Sequence, residues 1–214
     1  MSAKDKREKE RLEGINRRTK EVVEAAKIVF SEKSIEKATM QDIALKAEVG
    51  VASVYRYYAT KLDLVMEVAL DYWENDFSYE PALLVGTGIE QTSQMMDHLL
   101  IKLKSHPTML VFMEQFDAFI SSCEKEQVPL ESYEKMITNN NALITGIIEK
   151  GIQDGSIRVD VNAEEIGNTC VELLLSLAQK IALREQVLKP MGLIDPSATI
   201  DVYKQMLIKY LETA

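Results

Sequence analysis

The chain has 214 residues, 46% of them hydrophobic and 28% charged, with a net charge of −9. That is enough apolar content for one sizeable core or a small domain plus a larger one. Five prolines, nine glycines and abundant Leu, Ala, Glu, Lys and Met predict an all-α protein of about nine helices. No stretch approaches the ~18 uninterrupted apolar residues of a membrane span, and the charged start MSAKDKREKERLEG is followed by no apolar run, so no secretory signal or membrane association is expected. Cys123 and Cys170 are too few and too isolated for a disulfide framework or a zinc site. Two incidental thiols in a reducing cytoplasm is the reading taken, with redox sensing as the alternative.

The charge is not spread evenly. Residues 1–61 hold 14 Lys and Arg against 10 Asp and Glu, a net +4, and the remainder holds 11 against 24, a net −13. A basic head on an acidic body can be steered head-first onto a polyanion.

Residues 1–14 read as a charged arm, a frayed tail or a solvated helix, whose Lys4, Lys6, Arg7, Lys9 and Arg11 could touch phosphates or a minor groove. Val22, Val23, Ala26, Val29 and Phe30 form a stripe at helical spacing, a first helix over about Arg17 to Ser31. Thr39 is a good N-cap with Asp42 three residues on, and Ile43, Ala44 and Ala47 continue an apolar face. Glu48-Val49-Gly50 breaks the pattern, and Val51 to Tyr58 resumes it. Two helices of about two turns joined by three or four residues are a helix-turn-helix, in which small Ala44 lets the helices cross and Val49 and Val54 plug the angle.

The second helix of such a motif presents its first residues to base edges in the major groove. Those residues are Val51, Ala52, Ser53 and Arg56, with Gln41 nearby. Arg56 can take guanine bidentately and Val51 can touch a thymine methyl. Core packing beneath the recognition helix is the competing use of Tyr55 and Tyr58.

A stretch ending Ala25-Ala26-Lys27-Ile28-Val29-Phe30, then Thr39…Asp42-Ile43-Ala44, then Ala47-Glu48-Val49-Gly50-Val51-Ala52-Ser53-Val54-Tyr55-Arg56-Tyr57-Tyr58…Lys61, resembles the DNA-binding domain of the tetracycline-repressor (TetR) family. The likeness covers about residues 18–66 without a gap. It implies that Thr39, Tyr55, Tyr57 and Lys61 grip phosphates, Lys61 aided by a helix N-terminus. Ser34 stands where the family usually has glycine after the first helix. Glu48 replaces the turn glycine, at ~1 kcal/mol of strain if its φ is positive, and sets a like charge near the path of the phosphates. Gly50 replaces the usual serine cap and Ala52 a recognition-helix glycine.

Beyond the motif, a helix from Lys61 to about Phe77 leads into the body. Pro81 and Gly86 to Gly88 mark a loop. Helices over about Glu90–Ser105, Pro107–Ile120, Pro129–Asp154, Ala163–Leu188 and Ser197–Leu211 follow, the third of these after a charged connection at Glu124 to Val128. Three regions result: an arm 1–14, a helix-turn-helix domain 15–60 and a helical body 61–214.

Methionine and aromatic density in the body is high. Trp73, Met95, Met96, His98, Leu99 and Met109, with Phe112, Met113, Phe116, Tyr133 and Met136, are the candidates for an apolar pocket, against ordinary core packing. His98, His106, Gln115 and Asn139 to Asn141 are candidate polar anchors. The resemblance implies that this body binds an inducer and shifts the helices leading to the head. Val171, Leu174, Leu175 and Ala178, with Tyr203, Met206, Leu207 and Tyr210, give the last two helices more apolar surface than one core face needs. A four-helix interface between two copies is its natural use, which would set two recognition helices ~34–36 Å apart on a pseudo-palindrome.

His98 and His106 face no serine, cysteine or paired carboxylate at a motif spacing, and no nucleotide or metalloprotease motif occurs, so no catalysis, metal or cofactor is expected. The expectation is a cytoplasmic, homodimeric regulator that binds double-stranded DNA and is released from it by a small apolar or aromatic effector. The competing class is an all-helical ligand-binding or protein-interaction module that does not read DNA.

Overall fold

The computed structural model describes residues 3–76, 83–124, 128–129, 131–188, 190–192 and 196–213. Among these, nine α-helices and one π-helix account for nearly all the regular structure, and the only β-pairing is an isolated antiparallel bridge between Ile157 and Glu212. The helices are α1 (Ala3–Lys33), α2 (Met40–Lys46), α3 (Val51–Tyr57), α4 (Lys61–Asp71), α5 (Gly88–Ser105), α6 (Pro107–Ser122), α7 (Glu131–Asp154), α8 (Ala163–Leu188) and α9 (Pro196–Leu211). The π-helix Tyr72–Asp76 continues α4. The expected loop at Pro81, the end of the fourth helix at Phe77 and most of the connection after Glu124 lie outside the described residues.

The chain divides into two compact units. The first comprises Met1–Tyr72 and Glu114–Pro129, the second Trp73–Met113 and Leu130–Ala214. The chain passes between the two units after Tyr72, inside α6 between Met113 and Glu114, and after Pro129.

In the first unit, α1 packs on α2 and α4, and α2 on α3. Val22, Val23, Ala26, Val29 and Phe30 supply its core, joined by Ile43, Ala44, Val54, Leu64, Val65 and Val68. Each of the larger side chains among these contributes roughly 1.5–3 kcal/mol by leaving water. The arm is no separate element: α1 runs unbroken from Ala3. Lys6–Glu10, Lys9–Glu13 and Arg17–Glu21 pair one turn apart along it, and Arg11 holds Glu8. Such pairs each add only a few tenths of a kcal/mol, yet together they favour helix over coil in a segment without a core.

In the second unit, α5 and α8 pack on α7, and α9 packs on α5 and α8. The first turn of α5 is fastened to the end of α7, where Gly88 N–H donates to Asp154 Oδ2 at 2.8 Å and Ile89 N–H to Ser156 Oγ at 3.1 Å. A Cβ on Gly88 would overlap the Gly151 backbone, so only glycine permits this approach.

One expectation changes here. Leu174 and Ala178 of α8 and Leu207 of α9, expected at an interface, are buried in this chain's own core, where α8 packs on α7 and α9. Residues 163–184 of α8 are long and apolar enough, by length and composition only, to cross a membrane, a test that core helices pass as well, and 22% of that window is buried in this chain. The rest of its apolar surface includes Leu173 and Leu183, both exposed. Exposed Val202, Met206 and Tyr210 lie on α9, while Val171, Leu175 and Tyr203 are half-buried. Tyr203 donates to the Cys170 carbonyl at 2.9 Å. Burial pushes the Cys170 thiol up to about 12, which leaves it protonated and unreactive at neutral pH.

Candidate nucleic-acid interface

The first unit begins its motif with a turn, Ser34 to Ala38, entered through Ser34 at φ 72°. Thr39 then caps α2: its hydroxyl accepts from Asp42 N–H at 3.2 Å, and Asp42 Oδ2 accepts from Thr39 N–H at 3.1 Å. Lys33 reaches Asp42 Oδ1 at 2.6 Å. This Lys33 hydrogen bond, together with those from Thr39, holds the Asp42 carboxyl at about 2, below its ordinary 3.8. A carboxyl with a depressed folded value contributes stability above its unfolded value and loses it as pH falls through the folded one. The start of α2 should keep its structure down to pH 3.8 and loosen toward pH 2, as an NMR titration of the Asp42 carboxyl and the Met40–Ile43 amides will read.

Between α2 and α3 the chain turns through Glu48, whose φ is +55°. The two departures from glycine, Ser34 and Glu48, thus both occupy the left-handed region, at about 1 kcal/mol each. Gly50 caps α3 with no side-chain hydrogen bond, in extended backbone at φ −69° and with open space around its Cβ position. Gly50→Ser should stabilise the unit by about 0.5–1 kcal/mol, part from the new cap and part from a stiffer unfolded chain. Urea denaturation measures it.

Along α3, Val54 is buried under the helix, and Tyr58 after it is buried too; burial and the nearby Glu67 and Asp71 push the Tyr58 phenol up. Ala52, Tyr55 and Arg56 are exposed, and Val51, Ser53 and Tyr57 half-exposed. Gln41 on α2 is exposed. Of the candidate base-reading residues, Gln41, Ala52 and Arg56 are therefore open to solvent and Val51 and Ser53 partly so, while Tyr58 belongs to the core and Tyr55 does not.

Arg56 Nη2 donates to Tyr57 Oη at 3.2 Å and its guanidinium lies 5.2 Å from the ring centroid. Its hydrogen bond, and then that of Arg18 from α1, lower the Tyr57 phenol below its usual value. Arg18 is absent from the sequence candidates. It is a polar residue on a helix whose pattern marks only its apolar face.

Two of the expected phosphate contacts have other partners. Thr39 is engaged by Asp42, to whose Oδ2 its hydroxyl donates at 2.8 Å. Lys61 Nζ donates to the carbonyls of Ile35 at 2.9 Å, Glu36 at 3.1 Å and Ala38 at 3.2 Å, and lies 5.4 Å from the Phe119 ring centroid. An ammonium has three protons, and all three are used in holding the turn before α2. In this structure, without DNA, the Lys61 ammonium serves the turn.

The second unit contains a cavity of about 40 Å³ lined by Trp73, Met95, Leu99, Asn140, Leu143, Ile144 and Val171. Of the expected pocket residues it gathers Trp73, Met95 and Leu99. Met96, Met109, Phe112 and Met113 are buried core, and Tyr133 and Met136 are half-buried on α7. Asn140 Nδ2 donates to Met136 Sδ at 3.3 Å. His98 is exposed, so it is no lining residue. Phe116 is buried in the first unit, and Gln115 accepts from Ile35 N–H there. His106, at the end of α5, places its Nδ1 2.9 Å from the Lys102 carbonyl. Val171, expected at an interface, lines the cavity instead, because a helix apolar on several sides does not announce which side faces inward. Among the described residues, no group of three or more His, Cys, Asp or Glu could hold a metal ion.

The family model described as bacterial regulatory proteins, tetR family, matches residues 22–68. The chain is 22% identical over 155 residues to the HTH-type transcriptional repressor KstR2 of Rhodococcus jostii (strain RHA1), covering 71% of this chain and 73% of that protein. In fold it is similar to the TetR family transcriptional regulator PfmR from Thermus thermophilus, with a TM-score of 0.64 and 21% identity over 90% of this chain and 99% of that one. A bacterial regulatory protein of the tetR family from Rhodococcus RHA1 gives a TM-score of 0.69 at 16% identity, over 92% and 98% of the two chains.

Proposed function

We infer, for a chain that belongs to the tetR family of bacterial regulatory proteins and is a DNA-binding regulator, that it acts as a homodimeric repressor released from DNA by a neutral, apolar effector. The observation that carries the DNA half is the open face of α3, with Ala52 and Arg56 exposed and Val51 and Ser53 beside them, on the net-positive part of the chain. A helix face of this kind enters the major groove, where Arg56 takes guanine and Ser53 a base edge. Tyr55 and Tyr57 would meet the flanking phosphates. Repression is carried over from the Rhodococcus repressor to which the chain is similar.

The effector half rests on the cavity. Among the described residues, the Asn140 amide and the Trp73 indole N–H are its polar lining groups and no charged side chain lines it. A neutral ligand with a hydrogen-bonding group therefore suits it better than an anion, whose desolvation would go uncompensated. A cavity of about 40 Å³ holds a water or two and no effector. Entry therefore requires side chains to give way, and Met95 and Met136, unbranched, are suited to that. Trp73 follows Tyr72 in the chain, and the Tyr72 ring sits 4.5 Å from Lys27 Nζ of α1. Displacing Trp73 would thus act one residue from a contact of the DNA-reading unit. The exposed apolar residues of α8 and α9, Leu173, Val202 and Met206 among them, are the proposed dimer face. Such a regulator works where the DNA is, in the cytoplasm.

The test joins both halves. Arg56→Ala should relax preference at one base position by about 1–3 kcal/mol in a binding assay on upstream fragments of the encoding genome. Trp73, the chain's single tryptophan, should change its fluorescence with the same concentration dependence that releases DNA. An effector that releases DNA and leaves Trp73 emission unmoved would place its site elsewhere.

A further inference from the structure

The turn from Ser34 to Ala38 decides where α2 begins, and through α2 where α3 lies. It has one backbone bond of its own, Ala38 N–H to the Ser34 carbonyl at 3.0 Å, and is entered through a serine in the left-handed region. Ile35, at its centre, is 1% exposed, and both polar groups of its backbone are taken by residues remote in sequence. Its N–H donates to Gln115 Oε1 at 2.9 Å, and its carbonyl accepts from Lys61 Nζ at the same distance. Phe119, one helical turn beyond Gln115 on α6, lies beneath the Lys61 ammonium. Between them, buried Phe116 fills the same side of the helix. Gln115 and Phe119 both lie far outside the matched region 22–68.

We propose that Gln115 and Phe119 are positioning residues for DNA recognition. Residues 114–122 of α6 form the back wall of the reading unit. Gln115 fixes the Ile35 amide, Phe119 keeps Lys61 on the turn carbonyls, and together they set the Thr39 cap from which α2 starts. Neither side chain touches DNA. The inference rests on the DNA-binding reading given above.

The full-length protein is compared as wild type, Gln115→Leu, Gln115→Asn and Gln115→Glu, well below the melting temperature, on the upstream fragment that the wild type binds. Leucine removes the acceptor, asparagine withdraws it, and glutamate keeps one at the same reach. Leaving a buried N–H unsatisfied should weaken binding about tenfold in Q115L. Q115N, a milder change, carries the test if Q115L folds poorly. Q115E should return to within about threefold of wild type by the same measure. The salt slope should match wild type in every variant, because no phosphate contact is lost. Independently of DNA, exchange of the Ile35 amide should speed up in Q115L and Q115N and not in Q115E. Wild-type affinity in Q115L and Q115N, a lowered salt slope, or no recovery in Q115E overturns the proposal. A wild type that binds no fragment overturns the DNA reading itself, and the Ile35 amide then still shows whether Gln115 holds the turn.

Discussion

Gly88→Ala should destabilise the second unit by about 3 kcal/mol, at the upper end of what overpacking costs. A Cβ at this position would overlap the Cα and N of Gly151 and press on the Ile147 carbonyl, and backbone cannot rotate away as a side chain can. Helices α5 and α7 must separate, and the bonds from Gly88 N–H to Asp154 and from Ile89 N–H to Ser156 lengthen with them. The melting temperature should fall by roughly 6–12 °C. Gly146→Ala, on the facing helix α7, is the control: its Cβ position is open, and alanine there should stabilise by up to about 1 kcal/mol through helix propensity alone. Calorimetry of the two variants separates a close approach from an ordinary helix glycine. Equal effects would show that α5 and α7 do not meet as described.

Lys61→Met should cost the first unit about 2–3 kcal/mol. Methionine keeps the apolar stem packed, so the loss isolates the ammonium and its three carbonyl acceptors, bonds from a charged donor that are worth more than neutral ones. The readout that decides its role is the salt dependence of DNA binding. A lysine on a phosphate would lower the slope of log affinity against log salt by about 1 when removed. A lysine spent on the turn leaves the slope as it was while affinity falls with the stability of the motif. A lowered slope would return Lys61 to the phosphate role.

That pair of alternatives shows where a sequence is informative and where it is not. Helix starts are legible where a threonine precedes an acidic residue by three: Thr39 with Asp42 and Thr60 with Asp63 both form capping boxes. Ser34 and Glu48 are legible as glycine positions occupied by other residues, and both have positive φ. Lys61 is not legible, because a lysine at a helix start can face phosphate or curl back onto a carbonyl, and the difference lies in the turn beside it. Gln115 reads, by residue type, as a polar anchor in a ligand pocket. Its partner is a backbone N–H 80 positions away, and no local pattern encodes such a pairing. The cavity is half legible for a related reason. Trp73, Met95 and Leu99 follow from residue type, whereas Ile144 and Val171 enter only once α7 and α8 are packed. The same ambiguity suggests an interface for Leu174, Ala178 and Leu207 when they belong to the core.

The most direct test of the central claim is footprinting of the purified protein on the upstream DNA of its own genome, at low and moderate salt. Two protected half-sites related by a two-fold axis, with centres about one helical turn (~34–36 Å) apart or a multiple of it, are predicted, with base preference altered at one position per half-site in Arg56→Ala. Protection without sequence preference, or none at moderate salt, would contradict it.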